Sequence, residues 1–189
     1  RWDPALAGMV ADPDRLLLPQ RQWPLAPRRP FVRVDDSYPQ LIEAAEAVGL
    51  CDVVAEEELV HWQGVPRHGG AFAVPKSEAE SRWIAPSEFV NDVTDDTKLP
   101  YVRMPYLPML ATLTFRPGRR ARVSKRDARH YFHTLQTPRP WRRYMGLPPV
   151  LRHGKRRYPR FRSWPMGYKL SAAVAQAITD QVASAADVP

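Results

Sequence analysis

Gly69-Gly70-Ala71-Phe72-Ala73-Val74-Pro75 is followed, across the polar run Ser77 to Ser81, by Arg82-Trp83-Ile84-Ala85. Two glycines and then a short apolar run predict a turn leading into a strand. The second run predicts its partner, and the polar residues between them a hairpin loop. Pro75 has no N–H to give to a ladder and belongs at a strand end or edge. The hairpin carries Lys76 in its loop and Arg82 on its return strand, with Asn91 beyond. A mobile point charge beside a rigid guanidinium fork suits a phosphate clamp. A solvated basic hairpin has the same composition.

Upstream, Ser37 to Gly49 reads as a short amphipathic helix. Ser37 is placed to cap it, Pro39 suits its first turn and Gly49 can close its end. Leu41, Ala44, Ala45 and Val48 would share its apolar face. Before that, the chain is broken by proline from Asp12 to Pro30, and residues 1–35 are expected to form a Pro-rich leader or linker that packs weakly. Residues 36–189 are expected to form the folded domain.

Downstream, Pro100, Pro105 and Pro108 exclude one continuous helix. Val123 to Asp127 reads as a strand ending in an acid. Trp141 to Met145 and Tyr158 to Trp164 read as two further strands, joined by the basic loop around Gly154. Ser171 to Ala185 reads as a helix starting at Ser171 or Lys169, with Val174, Ile178, Val182 and Ala185 on one stripe. Helices and strands mix without strict alternation, so the fold class is α+β.

The chain has 189 residues, 21 of them proline, and a formal net charge of +8. That length suffices for one domain or part of a larger one. The basic balance favours polyanions, with nucleic acid first. The lone Cys51 excludes an internal disulfide. No apolar run approaches the roughly 20 residues of a membrane span. An opening at Arg1-Trp2-Asp3-Pro4 has no signal-peptide character. The expected setting is intracellular, nucleus or cytoplasm.

Two more segments carry chemistry. In Val123-Ser124-Lys125-Arg126-Asp127-Ala128-Arg129-His130-Tyr131-Phe132-His133 an acid at a strand end precedes an aromatic by five positions. A carboxylate is a hard oxygen ligand suited to Mg²⁺. Asp127 could equally pair with Lys125, Arg126 or Arg129. His130 and His133 could share a helical face, but no third ligand is spaced for zinc. In Trp164-Pro165-Met166-Gly167-Tyr168-Lys169, a Pro-x-Gly turn leads into a helix of small residues reaching Gln176. Such a turn lets backbone approach a ligand closely, and it also makes an ordinary loop-to-helix junction.

Taken in order, these three segments resemble the reverse-transcriptase family, the RNA-directed DNA polymerases of retroelements. The basic hairpin through Arg82 and Asn91 is similar to the family's finger pattern. Ser124 to His133 is similar to its first palm motif, and Pro165 to Gln176 to its Pro-x-Gly motif with the following helix. The resemblance covers roughly residues 70 to 182, and each motif alone is short. It implies fingers and a partial palm of a right-hand polymerase. It implies that Asp127 is the first catalytic carboxylate and metal ligand of a two-ion Mg²⁺ (or Mn²⁺) site, with the Ala128 carbonyl beside it. Lys76 and Arg82 would grip the incoming deoxynucleoside triphosphate. Phe132 would be the steric gate against a 2′-hydroxyl, Met166 and Gly167 would line the nucleotide pocket, and Gln176 would support the helix. RNA or DNA template-primer would be the macromolecular partner.

The chain also departs from the family. Tyr-x-Asp-Asp is absent, and Asp95-Asp96 precedes Asp127 in a polar stretch. The chain ends at Pro189, close to where that hairpin would begin, so a partial domain that does not polymerise alone is expected. Pro86 and Glu88 replace the family's usual acid and arginine after Arg82, and Leu170 follows Lys169. Two basic runs, Arg116 to Arg122 and Arg152 to Tyr158, could track a nucleic-acid backbone. Trp141, Tyr144, Tyr158, Phe161 and Trp164 could stack on bases or form core. The competing function is a non-catalytic basic nucleic-acid-binding module or retroelement relic.

Overall fold

The computed structural model describes residues 2–25, 29–78, 81–102, 114, 118 and 131–185. They form a mixed α+β fold of small sheets. One sheet orders the strands β1 (Val32–Arg33), β5 (Ala71–Pro75) and β6 (Ser81–Ile84). A second orders β2 (Cys51–Val54), β8 (Lys155–Phe161) and β7 (Val150–Arg152). A third is the short pair β3 (His61–Trp62) and β4 (Val65–Pro66). The helices are α1 (Pro4–Ala11), α2 (Tyr38–Ala47), α3 (Glu88–Asp92), α4 (Tyr131–Thr134), α5 (Arg139–Arg142) and α6 (Lys169–Ala185).

The β5–β6 hairpin has the expected arrangement, with Phe72 opposite Ile84, Val74 opposite Arg82 and Pro75 opposite Ser81. Pro75 closes its strand at the loop end, where a missing donor costs little. Gly69 and Gly70 are required by close approach. A Cβ on Gly69 would run into the carbonyl of Pro86, and one on Gly70 into the carbonyl of Phe31. The N–H of Gly70 donates to Pro86 O at 3.0 Å, and that of Ala71 to Phe31 O at 3.0 Å.

Helix α2 starts and ends as expected, but it is rotated. Gly49 takes a left-handed φ of 72°. It donates to Glu46 O at 2.9 Å while Leu50 donates to Ala45 O at 2.8 Å, the paired bonds of a Schellman ending. Ser37 makes no side-chain cap bond, and its hydroxyl donates to Asp35 instead. The buried face is Tyr38, Ile42 and Ala45, whereas Leu41 and Val48 are exposed. Tyr38 sets the rotation: its ring is buried and its hydroxyl donates to Pro148 O at 3.0 Å.

The N-terminal segment corrects a second expectation. Leu6, Leu16, Leu17 and Trp23 are buried in the main core. Leu18 N–H donates to Val93 O at 2.8 Å and Asp95 N–H to Leu16 O at 3.0 Å. The Trp141 indole donates to Met9 O at 3.0 Å. Proline there shapes short turns, such as Pro13–Arg15 capped by Asp12, and the leucines between them still reach the core.

The strand expected at Trp141 to Met145 is not one. Pro140 lies in the first turn of α5, where its fixed φ favours a helix start. Trp141 is fully buried against Trp164 and Tyr168. The strand expected at Tyr158 to Trp164 is shifted toward the N-terminus as β8. Its hairpin partner is β7, joined by His153 and Gly154 with φ of 50° and 72°. Two positive φ values in a two-residue loop match the twist of a hairpin. The first half of α6 is buried through Leu170, Ala173 and Val174; the expected stripe fails at Val182, which is exposed. Among the described residues no helix is long and apolar enough to cross a membrane.

Candidate functional site

The structure brings helix α3, which follows the β5–β6 hairpin, onto the Pro-x-Gly turn. The Asn91 side chain, on α3, donates from Nδ2 to Gly167 O at 2.8 Å. Its Oδ1 accepts from the N–H of Lys169 at 3.0 Å. One amide therefore satisfies an acceptor of the turn and an orphan donor at the start of α6. The turn itself closes through Tyr168 N–H to Pro165 O at 3.1 Å, and the Ser171 hydroxyl donates to the same carbonyl at 2.7 Å. Lys169 Nζ pairs with Asp96 at 2.6 Å.

Gly167 is closely approached by protein backbone rather than by a ligand. A Cβ there would lie 3.3 Å from Ala85 O and from Pro86 Cα, at the base of the β5–β6 hairpin. Met166, on the same turn, is exposed. Glu88 has a visible task. Its carboxylate accepts from Gly70 N–H at 2.9 Å and from Phe31 N–H at 3.2 Å, tying α3 to both neighbouring strands.

Lys76 and Arg82 are exposed at the loop end of the hairpin, Arg82 directly opposite Val74. Trp83, next along β6, turns the other way and packs against Phe161 with ring centroids 5.3 Å apart. Alternation therefore leaves Arg82 on the hairpin face away from the core. Phe132 is half-buried on α4 and packs against the main core beside Tyr131. The Tyr131 hydroxyl donates to Ala175 O at 3.0 Å, which fixes α4 on α6. Asp127 and Ala128 lie outside the described residues, as do the strand expected at Val123 to Asp127 and nearly all of the Arg116 to Arg122 run. Among the described residues no three His, Cys, Asp or Glu side chains converge on a point that could hold a metal ion.

The aromatic run is core. Trp141, Tyr158, Phe161 and Trp164 are buried, and Trp164 stacks on Tyr168 at an interplanar angle of 14°. None of these four is presented to a base. In the second basic run, Arg152 is neutralised by Glu46 at 2.8 Å. His68, half-buried below Tyr158, bonds Gly69 O through Nδ1 at 2.8 Å. Burial lowers its basicity below the usual 6.5.

Sequence reading missed a second cationic group, Arg142 and Arg162. Its mark in the sequence is the spacing Arg160-Phe161-Arg162 at the end of β8, and the link to Thr137 and Arg142 needs the pairing of distant segments to be read. No protein-family model matches the chain, and no curated protein matches it.

Proposed function

We propose that this chain supplies the fingers and the front of the palm of an RNA-directed DNA polymerase, and that it holds a template-primer and a deoxynucleoside triphosphate. The observation that carries this is the Asn91 bridge. It joins the end of the hairpin segment to the Pro-x-Gly turn, two of the three collinear motifs, across 76 positions of chain. The close fit of Gly167 under Ala85 and Pro86 supports the same assembly. The hairpin would then reach over bound triphosphate with Lys76 and Arg82, whose charges offset phosphate charge as it shifts in transfer. Met166, exposed on the turn, would contact the nucleotide, with the Gly167 backbone beside it, and Phe132 would gate the sugar. Asp127 and the Ala128 carbonyl would be the first ligands for Mg²⁺. The described residues supply no further ligands, so no catalytic step is assigned to this chain.

The formal net charge of +8 favours a second reading, a basic module that binds nucleic acid without polymerising it. The two differ in whether bound nucleotide must match the template. The test is the lifetime of a labelled RNA–DNA template-primer on the chain under heparin challenge, with Mg²⁺ and each deoxynucleoside triphosphate in turn. A polymerase front half holds the hybrid longer only with the complementary nucleotide. Equal lifetimes with all four would leave the non-catalytic module.

A further inference from the structure

Arg160 lies on strand β8, buried Phe161 ends the strand, and Arg162 follows it. The two arginines have different surroundings. Arg160 stands opposite Asp52 in the ladder with β2 and grips it through Nε and Nη2, each at 3.0 Å. It also reaches Glu58 at 3.2 Å. Arg162 lies one step past the last pair of that ladder, Cys51 and Phe161. Its N–H donates to Leu50 O at 2.9 Å, so a leucine stands where Arg160 has an acid. Its Nε is sealed from solvent and has no hydrogen-bond partner among the described residues.

The backbone ties a second arginine, Arg142, to the main chain of Arg162. Thr137 N–H donates to Arg162 O at 2.7 Å. Thr137 O in turn accepts from Arg142 Nε at 3.0 Å. Arg142, half-buried at the end of α5, is pulled below ordinary arginine basicity by burial first; Arg162, Arg160 and Arg139 push the same way, and Asp52 alone opposes. Asp52 is already engaged by Arg160. Among the described residues neither guanidinium has a carboxylate of its own, and two part-buried guanidinium groups so placed cost stability unless an anion joins them. Their planar forks match the oxygens of a phosphate.

We propose that Arg142 and Arg162 form a seat for a phosphate group, filled by a phosphodiester of a polynucleotide strand. Arg139 and Arg143, on the same helix segment, are exposed and extend the positive surface, which suits a chain of phosphates over a single anion. The choice of a polynucleotide rests on the function proposed above; the phosphate seat itself does not.

The test compares wild type with Arg162→Met, which keeps length and gives up charge, and Arg162→Lys, which keeps charge. In chloride, Arg162→Met melts at the same temperature as wild type or higher, whereas an arginine with a purely structural role would make it melt lower. Inorganic phosphate at fixed ionic strength raises the melting temperature of wild type and Arg162→Lys but not of Arg162→Met. With labelled single-stranded RNA, Arg162→Met lowers the slope of log affinity against log salt by about 0.7. If the phosphate response is lost in Arg162→Met while the RNA slope is unchanged, the seat stands and its ligand is free phosphate. A wild type indifferent to phosphate, or a response that persists in Arg162→Met, overturns the seat. Neither result depends on template-matched nucleotide, so the seat can fail while the polymerase proposal survives, and the reverse.

Discussion

Asn91 and Gly167 are joined by a 2.8 Å hydrogen bond across 76 positions of sequence, and the same Asn91 side chain accepts from Lys169 N–H at 3.0 Å. The bond sets where the Pro-x-Gly turn sits against the hairpin base. Asn91→Ala removes a donor and an acceptor at once and is expected to cost about 1–2 kcal/mol. Asn91→Asp keeps the acceptor toward Lys169 and loses the donor toward Gly167, so it falls between. Urea unfolding of the three proteins checks the order.

Leu16 is fully buried, with its carbonyl bonded to Asp95 N–H. Leu16→Ala should therefore destabilise the protein by about 2–5 kcal/mol, as for other large-to-small changes in a core. A loss within a few tenths of a kcal/mol, read from the urea midpoint, would mean that the N-terminal segment does not share the main core.

His68 makes stability depend on pH. Its proton affinity is lowered on folding, chiefly by burial, with Arg67 and Arg156 adding to the shift and Gly69 O and Glu88 opposing it. The unfolded chain, titrating near 6.5, then takes up a proton that the folded chain refuses. The stabilisation is complete above about pH 6.5 and is lost as pH falls through the lowered folded value. His68→Gln should flatten this part of the curve between neutral pH and about pH 5, measured by urea midpoints.

Cys51 is buried, and burial, reinforced by Glu46 and Asp52 and opposed by Arg152, pushes its thiol up to about 12. Thiolate is the reactive species, so iodoacetamide at about pH 8 should leave native Cys51 unmodified and label it readily in urea. Mass spectrometry of the two samples reads the difference directly.

Local patterning carried the parts of the fold that local physics decides. The β5–β6 hairpin was legible because glycine, proline and apolar runs mark a hairpin within a few residues. The end of α2 was legible because Gly49 must take a left-handed φ. The face of α2 was not, because Tyr38 faces inward only by meeting Pro148, 110 positions away. Trp141 to Met145 has a strand-like mixture of residues, yet proline in the first turn of α5 and the burial of Trp141 make Arg139–Arg142 helical. Proline density at Asp12 to Pro30 hid a leucine pair that tertiary packing buries. At the candidate site, Lys76, Arg82, Asn91 and Gly167 are singled out in the sequence by resemblance alone. The Asn91 bridge and the Arg142–Arg162 pair were not, because each depends on register between distant segments.

In the proposed function the hairpin grips triphosphate through Lys76 and Arg82. Titration calorimetry of dTTP with Mg²⁺ into wild type, Lys76→Ala and Arg82→Ala tests it most directly. Each side chain sits on the exposed loop end of the hairpin, so neither change should unfold the protein. Wild type should bind, and each variant should bind roughly tenfold more weakly, about 1.4 kcal/mol. Equal binding by all three proteins, or none by wild type, would contradict it.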